Sequence, residues 1–130
     1  MIYGIGTDIV RVARMQDNLQ RFGARFAARI LAAPELEEFA ADKRPAHFLA
    51  KRFAAKEAAV KALGTGFRGG VKLADICVTH DGKGKPGLSY SGRTASMLSE
   101  AGVDRSYLSL ADENDYAVAF VILVAGGSKA

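Results

Sequence analysis

Residues 48–66 read FLAKRFAAKEAAVKALGTG, and the rest of the chain has to be arranged around this segment. It is rich in alanine and leucine, and no glycine or proline precedes Gly64, so it predicts one helix that ends in glycines. At 100° per residue, small or apolar side chains lie both beside Glu57 and opposite it, and the charges gather on no single face. A helix of this kind is packed on much of its circumference, so we expect it at the centre of the fold.

Glu57 is the acid that this central helix has to accommodate. A carboxylate within a packed surface needs a partner, because an unpaired buried charge is costly. Lys61, one turn further along the helix, is one candidate partner, and a metal ion is the other.

The first predicted strand, residues 2–12, carries a second acid in unusual surroundings. Counting by twos places Gly4, Gly6 and Asp8 on one face. The two glycines leave room for a ligand or for another backbone. Aspartate is disfavoured inside strands, so Asp8 has either a structural partner among backbone N–H groups or a functional one.

Asp8 and Glu57 are placed to share one ion if the first strand packs on the central helix. A small number of hard oxygen ligands suits Mg²⁺, which takes its remaining ligands from water and substrate phosphates. Lys61 would then pair with a phosphate. One cysteine and no paired histidines point away from zinc or iron. From the residues alone, we expect a Mg²⁺-dependent site for phosphate transfer or phosphate binding.

A basic helix is predicted over residues 13–29, with a possible interruption at Gly23. Arg14, Arg21 and Arg25 fall on one stripe of it, beside a second stripe of methionine, leucine and phenylalanine. The stripe is either a solvated face of a core-packed helix or a docking surface for an acidic helix.

The segment GTGFRGG follows the central helix. Gly64 is well placed as a helix C-cap, which by itself would explain that glycine. Four glycines around Arg68 also suit a backbone nest that binds phosphate.

The remaining elements are shorter. They are, in order, a helix over residues 34–42, a hairpin of strands 75–80 and 88–91, a helix over 93–101, and strands 107–111 and 116–124. The last strand, YAVAFVILV, is almost wholly apolar, so we expect both of its faces to be buried, one by a helix and the other by a subunit interface. The class is α+β: about five strands, mostly antiparallel, wrapped around one long central helix in a single domain, residues 1–130.

Composition limits the possible functions. The 130 residues are 49% hydrophobic and 25% charged, as in ordinary globular proteins, and the net charge of +4 favours acidic partners such as nucleic acid, phosphate-rich cofactors or acidic proteins. Cys77 is the single cysteine, so no intrachain disulfide forms, and we expect a cytoplasmic protein. His47 and His80 have no metal-ligand spacing and are predicted at the surface. No apolar run is long enough to span a bilayer as a helix.

Two specific blocks, GIGTDIV at residues 4–10 and RFAAKEAAVKALGTG at residues 52–66, closely resemble the holo-acyl-carrier-protein synthases. These are the small, stand-alone 4′-phosphopantetheinyl transferases. DGKGKPGLSYSG at residues 81–92 and the Asp-Tyr-Ala at residues 115–117 extend the resemblance over essentially the whole chain. It implies the phosphopantetheinyl transferase fold, and an enzyme that moves the phosphopantetheine arm of coenzyme A to a serine of acyl carrier protein and leaves 3′,5′-ADP.

The resemblance also assigns roles to individual residues. It implies that Asp8 and Glu57 ligate Mg²⁺ and that Lys61 contacts phosphate, so Glu57 and Lys61 are the predicted catalytic residues. The serine proton is left two possible acceptors, a metal-bound water or Glu57 itself. The implied coenzyme A site comprises Arg52, Lys61, Gly64 and Gly66.

For the assembly, the resemblance implies that Arg14, Arg21 and Arg25 dock the carrier protein. It implies a homotrimer with active sites at subunit interfaces, and neither nucleic acid nor a membrane as a partner. Asp112 stands where many relatives have a histidine, so no histidine role carries over. The rival hypothesis is a small basic module that holds a nucleotide or nucleic acid without catalysis, and it gives the two acids nothing to do.

Overall fold

The computed structural model describes residues 1–126, which form five α-helices and five strands. The elements are β1 (Ile2–Arg11), α1 (Val12–Phe22), α2 (Ala24–Ile30), α3 (Ala33–Ala41), α4 (Pro45–Leu63), β2 (Ile76–His80), β3 (Pro86–Tyr90), α5 (Gly92–Glu100), β4 (Val103–Asp112) and β5 (Tyr116–Ala125). Short 3₁₀ turns lie at Arg68–Gly70 and Leu73–Asp75.

The strands form two antiparallel sheets. One has the order β1-β5-β4, and the other is the hairpin of β2 and β3. The α+β class with antiparallel strands around a long helix is therefore confirmed. The interruption of the basic helix is confirmed as well, because Gly23 adopts a φ of 64° between α1 and α2. None of the helices within residues 1–126 is long and apolar enough to cross a membrane.

Helix α4 is the central element that its sequence predicted. Fourteen of its nineteen residues are buried, so neighbouring elements cover it on most sides. It ends at Gly64, which has a φ of 90° and donates its N–H to the Val60 carbonyl oxygen at 3.1 Å. The helix begins at Pro45 rather than at Phe48, because proline suits the first turn.

Strand β1 lies directly against the backbone of α4. A Cβ atom on Gly4 would stand 2.0 Å from the carbonyl oxygen of Ala62, and one on Gly6 would stand 2.0 Å from that of Ala58. The space that these glycines leave therefore belongs to the helix backbone rather than to a ligand.

The inner face of β5 is buried against a helix, as predicted, and its outer face, which was predicted to lie in a subunit interface, is exposed in the single chain. Ala117, Ala119, Val121 and Leu123 are fully buried on the face toward α4. On the other face, Phe120 is 41% exposed and Tyr116 is 40% exposed. The described chain has helices on one side of this sheet only, so the sequence pattern reported apolar character that the chain itself does not cover.

The prediction that His47 lies at the surface is also wrong. The earlier start of α4 places His47 in a packed turn, where it is 6% exposed. Its Nδ1 accepts from Nη2 of Arg44 at 2.9 Å, which assigns the proton to Nε2, and Nε2 donates to Asp112 at 2.7 Å. The other histidine, His80, is exposed as expected, and Cys77 is half-buried.

Candidate functional site

Asp8, Glu57 and Lys61 meet where β1 runs along α4. Lys61 Nζ donates to Oδ1 of Asp8 at 2.9 Å and to the carbonyl oxygen of Thr7 at 3.1 Å. The sequence offered Lys61 two partners, Glu57 and a phosphate. Neither of them accepts these hydrogen bonds. Lys61 instead pairs with the carboxylate of the strand.

Glu57 is half-buried at this point, and its pKa is raised. Burial is the main cause and the charge of Asp8 adds to it, whereas the cations of Lys61 and Arg14 lower the pKa. The charge of Asp8 is thus close enough to oppose the ionisation of Glu57. Such a pair is a place where an additional cation would be stabilised.

The glycines of β1 explain how the sequence brings these residues together. Gly4 contacts α4 at Ala62 and Gly6 contacts it at Ala58. A step of two residues along the strand therefore corresponds to a step of about one turn toward the start of the helix. Asp8 is the next residue on this face, and it therefore lies beside the turn that carries Glu57. Close backbone contact thus determines where the two acids lie.

The donor set fits a hard cation that needs few protein ligands. Within residues 1–126, no group of three or more histidine, cysteine, aspartate or glutamate side chains is placed to hold a metal ion. Asp8 and Glu57 provide two carboxylates, and Lys61 already places one positive charge on Asp8. Mg²⁺ suits two carboxylates of this kind, because it usually keeps waters and takes further oxygens from substrate phosphates.

The predicted cofactor glycines begin one turn beyond Lys61. Gly64 and Gly66 have φ values of 90° and 63°, and a Cβ atom on either would meet nothing within 4 Å. Backbone conformation, rather than lack of space, therefore favours glycine here. The exposed loop at residues 64–72, called here the glycine loop, is open to solvent on the side of Gly64 and Gly66.

Arg52 is not brought to the Asp8–Glu57–Lys61 site of its own chain. It is 6% exposed, and its Nη2 donates to Oε1 of Glu38 at 3.3 Å. Its guanidinium carbon lies 4.2 Å from the ring centroid of Phe48. Arg52 and Glu57 are five helical positions apart, which directs their side chains to different sides of α4.

The predicted docking arginines lie on an exposed, partly aromatic surface. Arg14 stacks on Phe53 of α4, with 5.3 Å between its guanidinium carbon and the ring centroid. Arg21 and Arg25 line a groove of about 460 Å³, whose other lining residues are Phe22, Phe26 and Arg29. Arg14 joins this surface to the acidic site, because its charge also lowers the pKa of Glu57.

The sequence interpretation missed a second buried ion pair. Lys56 and Glu35 are both 0% exposed and are bonded to each other across 21 residues of chain. Burial lowers the pKa of Lys56, and the charge of Glu35 opposes that shift. The signal was present in the sequence, because the argument that Glu57 needs a partner applies equally to a lysine in the same packed helix.

Comparisons with known proteins agree on one family. The model of the 4′-phosphopantetheinyl transferase superfamily matches residues 4–121. The chain is 57% identical over 126 residues to a holo-[acyl-carrier-protein] synthase from Halorhodospira halophila, covering 97% of this chain and 100% of the relative. Its fold is similar to that of a synthase from Neisseria meningitidis, with a TM-score of 0.90 and 48% identity over 95% of this chain and 99% of the other. A synthase from Bacillus anthracis, solved in complex with CoA (3′,5′-ADP), has a TM-score of 0.81 and 37% identity over 97% and 99% of the two chains.

Proposed function

This chain belongs to the holo-[acyl-carrier-protein] synthases of the 4′-phosphopantetheinyl transferase superfamily, and we propose that it works with Mg²⁺ and releases adenosine 3′,5′-bisphosphate. It is a transferase, and it transfers phosphopantetheine from coenzyme A to acyl carrier protein, as its sequence motifs predicted. The observation that carries the proposal is that the carboxylates of Asp8 and Glu57 meet Lys61 beside the open glycine loop. The charge of Asp8 raises the pKa of Glu57 there, and Lys61 donates to Asp8.

Asp8 and Glu57 are the residues that would hold Mg²⁺. Both offer hard oxygen atoms, and the pKa of Glu57 is raised by burial and by Asp8, so a cation there would stabilise both charged forms. When bound, the ion supplies neutralisation of the charge on the coenzyme A pyrophosphate. Lys61 is then free to leave Asp8 and contact a phosphate oxygen.

In the reaction, the carrier serine oxygen bonds to the phosphorus that bears the pantetheine arm. The bond from that phosphorus to the oxygen of 3′,5′-ADP breaks, and the leaving group carries the electron pair. Lys61 stabilises the negative charge that develops on the phosphates. Glu57 is the side chain that we propose to accept the serine proton, because a carboxylate oxygen that does not ligate the ion is left to act as a general base.

Gly64 and Gly66 are proposed to contact the adenosine end of coenzyme A. Their open surroundings and positive φ values leave backbone atoms accessible to a ligand. Arg52 points away from the acids of its own chain, so we propose that it contacts the coenzyme A held at the site of a neighbouring copy.

The homotrimer is proposed from the uncovered face of the β1-β5-β4 sheet. Large apolar side chains are 41–62% exposed there, which is costly for a free surface. They include Ile5, Ile9, Tyr107 and Phe120. Interfaces that share this sheet face would cover the apolar side chains.

Arg14, Arg21 and Arg25 are the proposed contacts of the carrier protein. They are exposed cations beside exposed Phe22, which suits an acidic helix with apolar positions. The stacking of Arg14 on Phe53 places this surface next to Glu57, so a docked carrier would present its serine near the acids. We place the reaction in the cytoplasm, in keeping with the single cysteine.

The direct test is to incubate the protein with coenzyme A, Mg²⁺ and an apo carrier protein, and to measure the mass of the carrier. We expect the mass of one phosphopantetheine arm to be added, 3′,5′-ADP to appear in equal amount, and both to disappear with EDTA. A carrier whose acceptor serine is replaced by alanine is the control. Transfer that continues at the same rate in EDTA would refute the metal assignment, and no transfer to any apo carrier would refute the function.

A further inference from the structure

We infer that Lys56 and Thr94, two buried residues outside the Asp8–Glu57–Lys61 site, hold the downstream end of the glycine loop and thereby set the affinity for coenzyme A. Both are positioning residues, because neither is accessible to a substrate: Lys56 is 0% exposed and Thr94 is 1% exposed. The inference rests on the proposed binding of coenzyme A at this loop.

Lys56 reaches the loop through a fully bonded ammonium group. Its Nζ donates to the Glu35 carboxylate, to the carbonyl oxygen of Ile30 at 2.7 Å and to that of Leu73 at 3.2 Å. Three donors thus meet three acceptors, and Leu73 directly follows the glycine loop. One buried side chain of α4 therefore fixes the main chain where the loop ends.

Glu35 extends the same connection to other elements. Its Oε1 accepts from the N–H of Ala32 at 2.8 Å, and its Oε2 accepts from the N–H of Val78 at 2.9 Å. A buried ion pair adds little net stability over apolar side chains of the same size. Its directed hydrogen bonds do fix positions, and here they fix the start of α3, strand β2 and the end of the loop relative to α4.

Thr94, on helix α5, bonds Lys72, the loop residue that precedes Leu73. Its Oγ1 accepts from the N–H of Lys72 at 3.1 Å and donates to Oδ2 of Asp75 at 3.1 Å. Lys72 and Leu73 are consecutive, so side chains of α4 and α5 bond backbone groups of two adjacent residues. At the upstream end, the N–H of Gly64 is bonded to Val60 in the cap of α4. Both ends of the loop are fixed, whereas Gly64 and Gly66 remain open.

Fixed ends reduce the conformational cost of binding. A loop that is ordered before the ligand arrives loses less freedom on binding than a loose one. Lys56 and Glu57 are adjacent positions of a helix, about 100° apart, so releasing Lys56 leaves the side-chain direction of Glu57 unchanged. We therefore expect the affinity for coenzyme A to fall while the chemical step and the carrier surface are retained.

The experiment compares steady-state constants of the wild-type protein and its variants. Thr94→Val removes one buried hydrogen bond, so we expect the KM for coenzyme A to rise by about threefold to tenfold. With Lys56→Met we expect it to rise by about tenfold or more. In both variants kcat should stay within about twofold and KM for the carrier should be unchanged. Thr94→Ser, which keeps the hydroxyl, should restore the wild-type KM. The matched controls are Thr79→Val, at an exposed strand position, and Lys51→Met, on the half-exposed side of α4.

Hydrogen exchange without substrate tests the positional part separately. We expect faster exchange at residues 65–72 in Thr94→Val and Lys56→Met but not in the controls. An unchanged KM for coenzyme A in Thr94→Val, or an equal rise in both KM values, would overturn the inference, even if Lys56→Met fails to fold. If the wild-type protein transfers nothing, the proposed function has failed rather than this inference. In that case hydrogen exchange still tests the positional part, and unchanged exchange in Thr94→Val would overturn it.

Discussion

Lys56 and Glu57 are consecutive residues, yet they occupy opposite kinds of environment. On the α3 side of α4, Lys56 is fully buried, Glu35 balances its charge, and its ammonium group donates three hydrogen bonds. On the β1 side, Glu57 is half-buried beside a second carboxylate, and the pKa of Glu57 is raised. The difference separates a structural ion pair from the proposed reactive site. In the pair, the charges of Lys56 and Glu35 balance within the chain, whereas Glu57 lies beside a second carboxylate whose charge a bound cation would offset.

The largest effect should come from breaking the complete pair. In Glu35→Gln the ammonium of Lys56 loses its buried counter-charge, which should lower the free energy of unfolding by about 3–5 kcal/mol. Urea unfolding measures this value. Glu38→Gln is the control, because the Glu38 side chain is 53% exposed and its pairing with Arg52 should contribute less than about 1 kcal/mol. Equal losses in the two variants would remove the distinction between the two sides of α4.

Replacing the incomplete site should affect activity and spare stability. Glu57→Gln removes one proposed metal ligand and the proposed base, so we expect kcat to fall by about 100-fold or more. The free energy of unfolding should stay equal to that of the wild type or rise, because the variant removes a carboxylate whose charged form is disfavoured. Transfer assays over a Mg²⁺ titration, with the exposed Glu37→Gln as control, measure this effect. Transfer at the wild-type rate would refute both roles of Glu57.

Exposed charges away from both sites should produce a smaller and more selective effect. In Arg21→Glu, the KM for the carrier should rise by about five- to tenfold while the KM for coenzyme A is unchanged, because the charge acts on docking alone. The rise should shrink at high ionic strength. Lys43→Glu, at an exposed position between α3 and α4, is the matched control. A similar rise in both KM values would contradict a docking role for α1.

The smallest effect should be the pH dependence of stability that Glu57 contributes. The folded chain raises the pKa of Glu57, so the native state binds a proton more tightly than the unfolded state does. The contribution of Glu57 is therefore fully present below its unfolded pKa of 4.5, and it is lost as the pH rises from there through the raised folded value. Urea unfolding of the wild type and Glu57→Gln, without Mg²⁺, measures the difference. A difference that grows in the opposite direction would show that Lys61 and Arg14 outweigh burial and Asp8.

The sequence predicted the features that depend on local pattern. The central helix and its Gly64 cap follow from residue type and spacing. The meeting of Asp8 with Glu57 was predicted on the condition that the first strand packs on the central helix, and the family resemblance implied it as well. The pairing of Lys56 with Glu35 could not be predicted in the same way, because the partners are 21 residues apart and no periodicity connects two different helices.

Burial depends on neighbours rather than on the residue itself, which is why His47 was wrongly predicted at the surface. The sequence shows no metal-ligand spacing around His47, but the first turn of α4 packs its imidazole against Asp112. The outer face of β5, which was expected to lie in a subunit interface, is exposed in the single chain. The fold of one chain does not contain the second surface that this strand requires.

The contact of Gly4 and Gly6 with the backbone of α4 has a consequence for how the enzyme can diverge. No side chain lies between the strand and the helix there, so repacking the core cannot alter the spacing of the two acids. Main-chain atoms thus act as a rigid template for the proposed ion site. Selection or design for a different metal would therefore have to change the ligand type at Asp8 or Glu57, because the distance between them is not adjustable.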